Sequence, residues 1–384
     1  MIHHLPHLNN FERPPLAPWE REGKVGLDKN EPPFSPADIV KGFFDDLRAW
    51  NPRTYPDSYA LYEKLARHLR VDIKSLLVTF GSEQAIRVAF EIMIGPGDVV
   101  VYPNPAFAMI DVFANQFRAH KRLAEFRPGP RLEIADFLEL IQADTRLVVL
   151  PNPNNPTGTF FNLEELRRIA QRSQEVGALF LVDEAYHPYA GVTALELIPE
   201  FPCVAVTRTF SKAWGLAGVR AGLVIAQPEV IRIFRKVKPI DEISTFSLAA
   251  CLKALDHPEI LKRNTAQVKL WKARFALLAR AGVEPLPSAG NYVLLRLTAG
   301  RRRELEAWAA AHGYLLKFDM GHPCMEGVVR FCIGKDREMQ PLFNFLAGKL
   351  PARRAAATPA RKPSGRPLTR TTARKSPRPA SRRR

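Results

Sequence analysis

Between residues 76 and 225 the chain switches repeatedly between short apolar runs and stretches with helical periodicity. LLVTF (76–80), DVVVY (98–102), RLVVL (146–150), ALFLV (178–182) and CVAVT (203–207) are apolar at nearly every position, as strands buried on both faces are. Helical patterns fall between most of them, at Ser82–Ile94 and at Leu163–Glu175, the latter led in by Asn162 as a candidate N-cap. Such alternation predicts an α/β fold, a mainly parallel sheet flanked by helices.

Beyond about Pro239 the pattern changes. Helices are expected at Ser244–Asp256, from Pro258 to Arg280 and near Arg302–Ala311, with strands in NYVLLRL, YLLKF and VVRFCI and a last helix ending near Gly348. The expected organisation is an N-terminal arm (1–26), a large α/β domain (51–239), a smaller α+β domain built from 27–50 and 240–350, and a tail (351–384). The tail carries +12 of the formal charge of +17 and has no Asp or Glu. With a single Leu it cannot bury enough apolar surface to offset the entropy of ordering, so it is expected to be disordered. It is read either as a weak polyanion-binding segment or as a solvated extension without a partner; no aromatic residues are interleaved for base stacking.

Several classes are set aside on the same grounds. No run of eighteen apolar residues exists, so no membrane span is expected, and the opening residues lack the basic and apolar regions of a secretory signal. Cys203, Cys251, Cys324 and Cys332 are far apart, which suggests neither a zinc site nor a disulfide framework, and a reducing cytoplasm is the expected compartment. His3, His4 and His7 could bind metal but read better as part of a flexible, solvated end.

The polar residues that interrupt the α/β pattern share one location. Gly81-Ser82-Glu83-Gln84 follows LLVTF, PNPNNPTG (151–158) follows RLVVL, Asp183-Glu184-Ala185-Tyr186 follows ALFLV, and Ser211-Lys212 closely follows CVAVT. All four stand at the carboxyl ends of expected parallel strands, where open α/β sheets bind ligands. Gly81-Ser82 opens a helix and offers free N–H groups to an anion, or Ser82 is an ordinary cap. Asp183 ends an apolar strand and must face a cation or a strong donor, in a ligand or in a structural salt bridge. Lys212, between Phe210 and Trp214, is either a partly dehydrated nucleophilic amine or a surface lysine with a buried stem. Arg220 enters a further apolar strand and also wants an anion. Together these groups suit a phosphorylated cofactor with a cationic ring, held through an amine.

TFSKAWGLAGVR, PNPNNPTG and VDEAY, in this order and at these separations, resemble the fold-type I pyridoxal-phosphate enzymes, specifically class I/II aminotransferases of the histidinol-phosphate aminotransferase group. LDKNEPPFSP (27–36), Tyr55-Pro56-Asp57, PSAGNYVLLR (287–296) and VVRFCIG (328–334) are similar to that group's flanking elements, so the likeness runs from about residue 25 to about 348. It implies that Lys212 bonds covalently to pyridoxal phosphate and then acts as general base, and that Asp183 pairs with the ring nitrogen. Asn155 and Tyr186 are implied to bond the phenolic oxygen and Phe107 to stack on the ring. Ser82, Ser211 and Arg220, with the N–H groups that follow Gly81 at Ser82 and Glu83, are implied to hold the phosphate. Tyr55 is implied to reach that phosphate from a neighbouring subunit, hence a homodimer with shared sites. On the substrate side the resemblance implies Arg330 for a carboxylate, with Asn30 and Lys317 beside it.

Lys317 stands where an arginine for the substrate phosphate is expected in that group, which leaves an aromatic or other amino acid, or a related phosphorylated amine, as open as histidinol phosphate. The activity implied is transfer of an amino group to a 2-oxo acid. Two alternatives stand beside it: a decarboxylase resembling threonine-phosphate decarboxylase, and a polyanion-binding protein acting through its tail.

Overall fold

The five apolar runs enter one seven-stranded sheet. In the computed structural model, which describes residues 5–10, 21–45, 53–240, 243–279 and 282–348, the strands are numbered along the chain. A two-residue strand β1 (Val25–Gly26) precedes the large sheet, which contains β2 (Leu76–Thr79), β3 (Val99–Asn104), β4 (His120–Glu125), β5 (Thr145–Pro151), β6 (Leu179–Asp183), β7 (Val204–Thr209) and β8 (Gly222–Ala226). The order across it is β2-β8-β7-β6-β5-β3-β4. Only β8 runs against the others: it pairs antiparallel with β2 and with β7, and the remaining pairs are parallel. β4 has no counterpart in the sequence reading because it is a half-covered edge strand. Its His120, Lys121 and Arg122 mask the apolar pattern, and of its residues Ala124 alone is fully buried.

Alternation along the strands divides the core in two. Val148, Leu150, Phe180, Val182, Val204 and Val206 belong to one apolar cluster, and their neighbours Leu147, Val149, Leu179, Leu181 and Ala205 to another. The Val, Leu and Phe side chains among them each contribute about 1.5–3 kcal/mol relative to exposure. The helix Leu163–Val176 shows why the local sequence folds as it does. Asn162 caps it through a reciprocal pair, Glu165 N donating to Asn162 Oδ1 at 3.0 Å and Asn162 N donating to Glu165 Oε2 at 2.7 Å, and Gly177 closes it in the left-handed region.

A third cluster surrounds the antiparallel strands β9 (Val283–Leu286), β10 (Tyr292–Leu297) and β12 (Val328–Cys332), in the order β12-β10-β9, with the helices Pro258–Ala276, Ala299–His312 and Asp336–Leu346. The short β11 (Tyr314–Leu315) pairs parallel with β1. Leu27 belongs to this third cluster, whereas Phe43 and the helix Thr245–Asp256 contribute to the first. At the N-terminus His7 is half-buried and tied to the body of the fold, its Nε2–H donating to the carbonyl of Gln116 at 3.0 Å. His3, His4 and the basic tail lie outside the described residues.

One glycine joins the sheet to the start of the helix Gly81–Met93. A Cβ on Gly222, the first residue of β8, would stand 2.5 Å from the carbonyl carbon of Gly81, 2.6 Å from Ser82 N and 2.8 Å from the carbonyl oxygen of Arg208. All three are backbone atoms that cannot swing aside. Gly222→Ala should therefore destabilise the fold by about 1–3 kcal/mol, the usual range for overpacking a closed site. A urea midpoint unchanged from that of the parent would show that the two backbones separate freely.

Candidate active site

Because β8 alone is reversed, its entry and the exits of β2, β5, β6 and β7 share one edge of the sheet. A cavity of about 700 Å³ opens there. It is lined by Ser82 and Glu83 after β2, Phe107, Asn155 after β5, and Asp183 and Tyr186 at and after β6. Ser211 and Lys212 after β7, Arg220 before β8, and Asn30, Lys317 and Arg330 complete the wall. Gly81 is buried immediately beside it. Tyr55 alone among the expected site residues is not brought there; it is 86% exposed on the surface.

The helix after β2 settles what Ser82 does locally. Its N-cap position is Phe80, whose N–H is taken by Gln84 Oε1 at 2.6 Å, so Ser82 lies within the first turn and caps nothing. Its hydroxyl makes no hydrogen bond among the described residues. Gly81, at φ +77°, lets the chain pass under Arg220, whose Nη2 lies 3.0 Å from where a Cβ on Gly81 would be. Arg220 itself takes the left-handed conformation, at φ +56°, and donates to Ser211 Oγ at 3.4 Å. Two serine hydroxyls, a guanidinium and the N–H groups of a helix start thus converge, and among the described residues no carboxylate is hydrogen-bonded to any of them. This cradle fits a phosphate.

Asp183 is 5% exposed at the end of β6. Its Oδ1 accepts from Thr207 Oγ1 at 2.8 Å and from Ala185 N at 3.3 Å, while Oδ2 accepts no bond from the described residues. Burial pushes its carboxyl up to about 6; Thr207 and Ala185 oppose the rise, Glu184 adds to it and Lys212 opposes it. The sequence reading had not singled out Thr207. Its signal is register, since Thr207 on β7 pairs with Asp183.

Lys212 is half-buried, and its Nζ donates to the carbonyl of Asn30 at 3.0 Å. Phe210 and Trp214 do not wall the amine, contrary to the sequence expectation. They pack against each other with ring centroids 5.8 Å apart in the core below, and the ring near Nζ is Tyr186, at 5.6 Å.

Across the cavity a chain of polar side chains runs from Tyr186 to Arg330. Asn30, at φ +54° and 2% exposed, donates through Nδ2 to Tyr186 Oη at 3.0 Å and to Asn155 Oδ1 at 3.3 Å. Arg330 donates to the same Asn155 oxygen and to the carbonyl of Asp28, and its Nε is buried without a partner. Among the described residues the guanidinium therefore meets neutral oxygens and the ring of Tyr292, 5.6 Å away, and no carboxylate. Lys317 is bridged to Arg330 in antiparallel register, each N–H donating to the other's carbonyl, at 2.9 and 2.8 Å. Both side chains line the cavity, two cations on neighbouring backbones. Lys29, Thr209 and Ala185, within the segments singled out above, also line it.

The sequence profile of the family described as Aminotransferase class I and II matches residues 22–346. A histidinol-phosphate aminotransferase of Thermoanaerobacter pseudethanolicus is 32% identical over 275 residues, 70% of this chain and 78% of that protein. The histidinol-phosphate aminotransferase of Caldanaerobacter subterraneus subsp. tengcongensis is 28% identical over 328 residues, 84% of this chain and 92% of that one. Among solved structures, a histidinol-phosphate aminotransferase from Sinorhizobium meliloti in complex with pyridoxal-5'-phosphate superposes with a TM-score of 0.80 at 24% identity, covering 91% of this chain and 97% of that one.

The environment of Asp183 has a measurable consequence in the protein without ligand. A carboxyl raised from its ordinary range holds its proton more tightly folded than unfolded, so its contribution to stability falls as pH rises from about 4 to about 6. Asp183→Asn keeps an acceptor for Thr207 and removes the buried charge. The variant should be more stable than the parent by about 1–3 kcal/mol at about pH 7.5, with the gain vanishing near pH 4, in urea titrations of the ligand-free chain. A gain independent of pH, or a loss at pH 7.5, would contradict this account of the carboxylate.

Proposed function

The chain belongs to the class I and II aminotransferases, and we propose that it uses pyridoxal phosphate to move an amino group from an amine of the histidinol phosphate type, or from an aromatic amino acid, to a 2-oxo acid. One observation carries the reading: a lysine amine, a carboxylate almost wholly out of water and an anion cradle built from Ser82, Ser211 and Arg220 line a single cavity. When bound, pyridoxal phosphate supplies an aldehyde that takes up the amino group and a cationic ring that draws electrons from the adjacent carbon.

The residues divide the remaining tasks. Lys212 Nζ holds the cofactor covalently between turnovers and, once released, takes the proton from the substrate Cα. Asp183 keeps the ring nitrogen protonated, a role for which its buried carboxylate needs the very cation that the ring presents. Ser82, Ser211, Arg220 and the N–H groups after Gly81 anchor the phosphate. Asn155 and Tyr186 orient the phenolic oxygen, and Phe107 covers the ring. Tyr55, exposed in one protomer, is assigned to the site of a second copy, which makes the working unit a homodimer. The cytoplasm is the proposed compartment; among the described residues no helix is long and apolar enough to cross a membrane.

The substrate side follows from charge. Histidinol phosphate carries a phosphate and no carboxylate, whereas a 2-oxo acid carries a carboxylate. Arg330 and Lys317 line the same side of the cavity, so one pair of cations receives these two anions in turn.

Two measurements test the reading. Borohydride reduction of the loaded enzyme, followed by peptide mass analysis, should find the cofactor on Lys212; a label on another lysine would overturn the site assignment. Consumption of the amine should depend on an added 2-oxo acid, with the cofactor recovered in its amine form when the oxo acid is withheld. Release of carbon dioxide from a phosphorylated amino acid without any oxo acid would identify a decarboxylase instead.

A further inference from the structure

Below the cavity, on the opposite face of the two strands that present Asp183, lies a second buried carboxylate that the proposed chemistry does not use. Asp183 and Glu184 are consecutive, and so are Thr207 and Arg208, so alternation sends one pair of side chains to each face. On the cavity face Thr207 bonds Asp183. On the other, Arg208 donates to Glu184 Oε2 through Nε at 3.0 Å and Nη2 at 2.9 Å. Glu184 is 1% exposed. Thr193 Oγ1 donates to the same Oε2 at 3.0 Å, Ala194 N donates to Oε1 at 2.5 Å, and Arg208 Nη2 also reaches Thr193 Oγ1 at 2.9 Å. Among the described residues, every bond this carboxylate accepts comes from β7 or from the 193–194 turn, and Glu184 N closes the ladder by donating to the carbonyl of Thr207 at 2.9 Å.

We propose that Glu184 and Arg208 form a positioning pair for Asp183. The pair clamps the ends of β6 and β7 and cancels, within the sheet, the negative charge that Glu184 would otherwise set beside the cofactor-facing carboxylate.

Two effects are combined here. The first is geometric: a shared network fixes the β6 end, from which Asp183 and Tyr186 both reach the cavity. The second is electrostatic. Glu184 is among the groups that raise the Asp183 carboxyl, and burial raises Glu184 itself while Arg208 and its other donors oppose that rise. The remaining charged or titratable groups nearby are few. Lys212 faces Asp183 from the cavity; His68 and His187 flank Arg208, and burial lowers both, His187 to about 3, which disfavours the charged form of each. Arg208 is therefore the cation that balances Glu184.

The inference rests on the reading that Asp183 meets the ring nitrogen, and the test separates the two. Affinity of the full chain for pyridoxal phosphate is measured by equilibrium dialysis across pH for the parent, Asp183→Asn, Glu184→Gln, Arg208→Met and the double variant Glu184→Gln with Arg208→Met. Ionisation of the cofactor itself is common to all five, so differences report the protein. Loss of Arg208 should move the acid midpoint of binding up and loss of the Glu184 charge should move it down, each by about half a pH unit or more, and the double variant should return near the parent. If Arg208→Met does not fold, the step from Glu184→Gln to the double variant reads the same contribution and should be upward. A pair that is only structural would weaken binding at all pH values, or shift both single variants in one direction, and either result overturns the proposal. If Asp183→Asn leaves the midpoint where it is, the assignment of Asp183 fails and the proposal falls with it; if only the pair variants leave it unmoved, the pair alone is refuted.

Discussion

A carboxylate kept out of water without a full set of partners governs this site. Asp183 is held by one hydroxyl and one weak N–H bond on a single oxygen, far less than an ionised carboxyl requires in a medium of low polarity. Arg330 is its counterpart across the cavity, a buried guanidinium bonded to neutral oxygens with one N–H unmatched. Had the fold joined these two, each would be satisfied and the cavity would need no ligand. Instead Asn30, Asn155 and Tyr186, all neutral, occupy the space near Arg330 and link to one another. The ligand-free protein thus holds two opposite charges, each short of partners; in the proposed reaction a cationic ring answers Asp183 and the anion of a substrate answers Arg330.

The architecture makes that separation possible. Strands buried on both faces leave polar residues only at their ends, and a nearly parallel sheet collects those ends at one edge. The reversal of β8 brings Arg220 to that same edge although it precedes its strand, which closes the phosphate cradle against the start of the helix after β2. The close approach at Gly222 is the structural condition for it, because any side chain there would push the helix start away from the sheet.

Much of this was legible in the sequence because it rests on short-range pattern. Continuous apolar runs marked β2, β3, β5, β6 and β7, and the punctuation after them marked Ser82, Asn155, Asp183 and Lys212. What escaped depended on partners distant in the chain. β4 was missed because an edge strand buries only part of its surface and can carry His120, Lys121 and Arg122. Phe210 and Trp214 were placed around the lysine because they adjoin it, yet both turn into the core, and the ring near the amine belongs to Tyr186, contributed by another strand end. Thr207 and Arg208 were invisible for a related reason. Each owes its role to lying opposite β6 in the sheet, and register is a property of the fold that adjacency along the chain does not carry.

The same register also joins Arg330 and Lys317, the cation pair proposed for the substrate side. Arg330 is buried, its planar fork oriented by the carbonyl of Asp28 and by Asn155, so it receives an anion in one geometry. Lys317 lies on the adjoining backbone but is exposed, a compact charge on a flexible stem. An enzyme that alternates between two substrates in one cavity must grip both in the same attitude at the reacting carbon while their remaining atoms differ in length and charge. In the roles proposed for them, the oriented guanidinium of Arg330 fixes the common attitude and the ammonium of Lys317, on its flexible stem, follows the part that changes. An arginine in place of Lys317 would bring a second rigid fork, gaining bidentate hold on a phosphate and giving up reach.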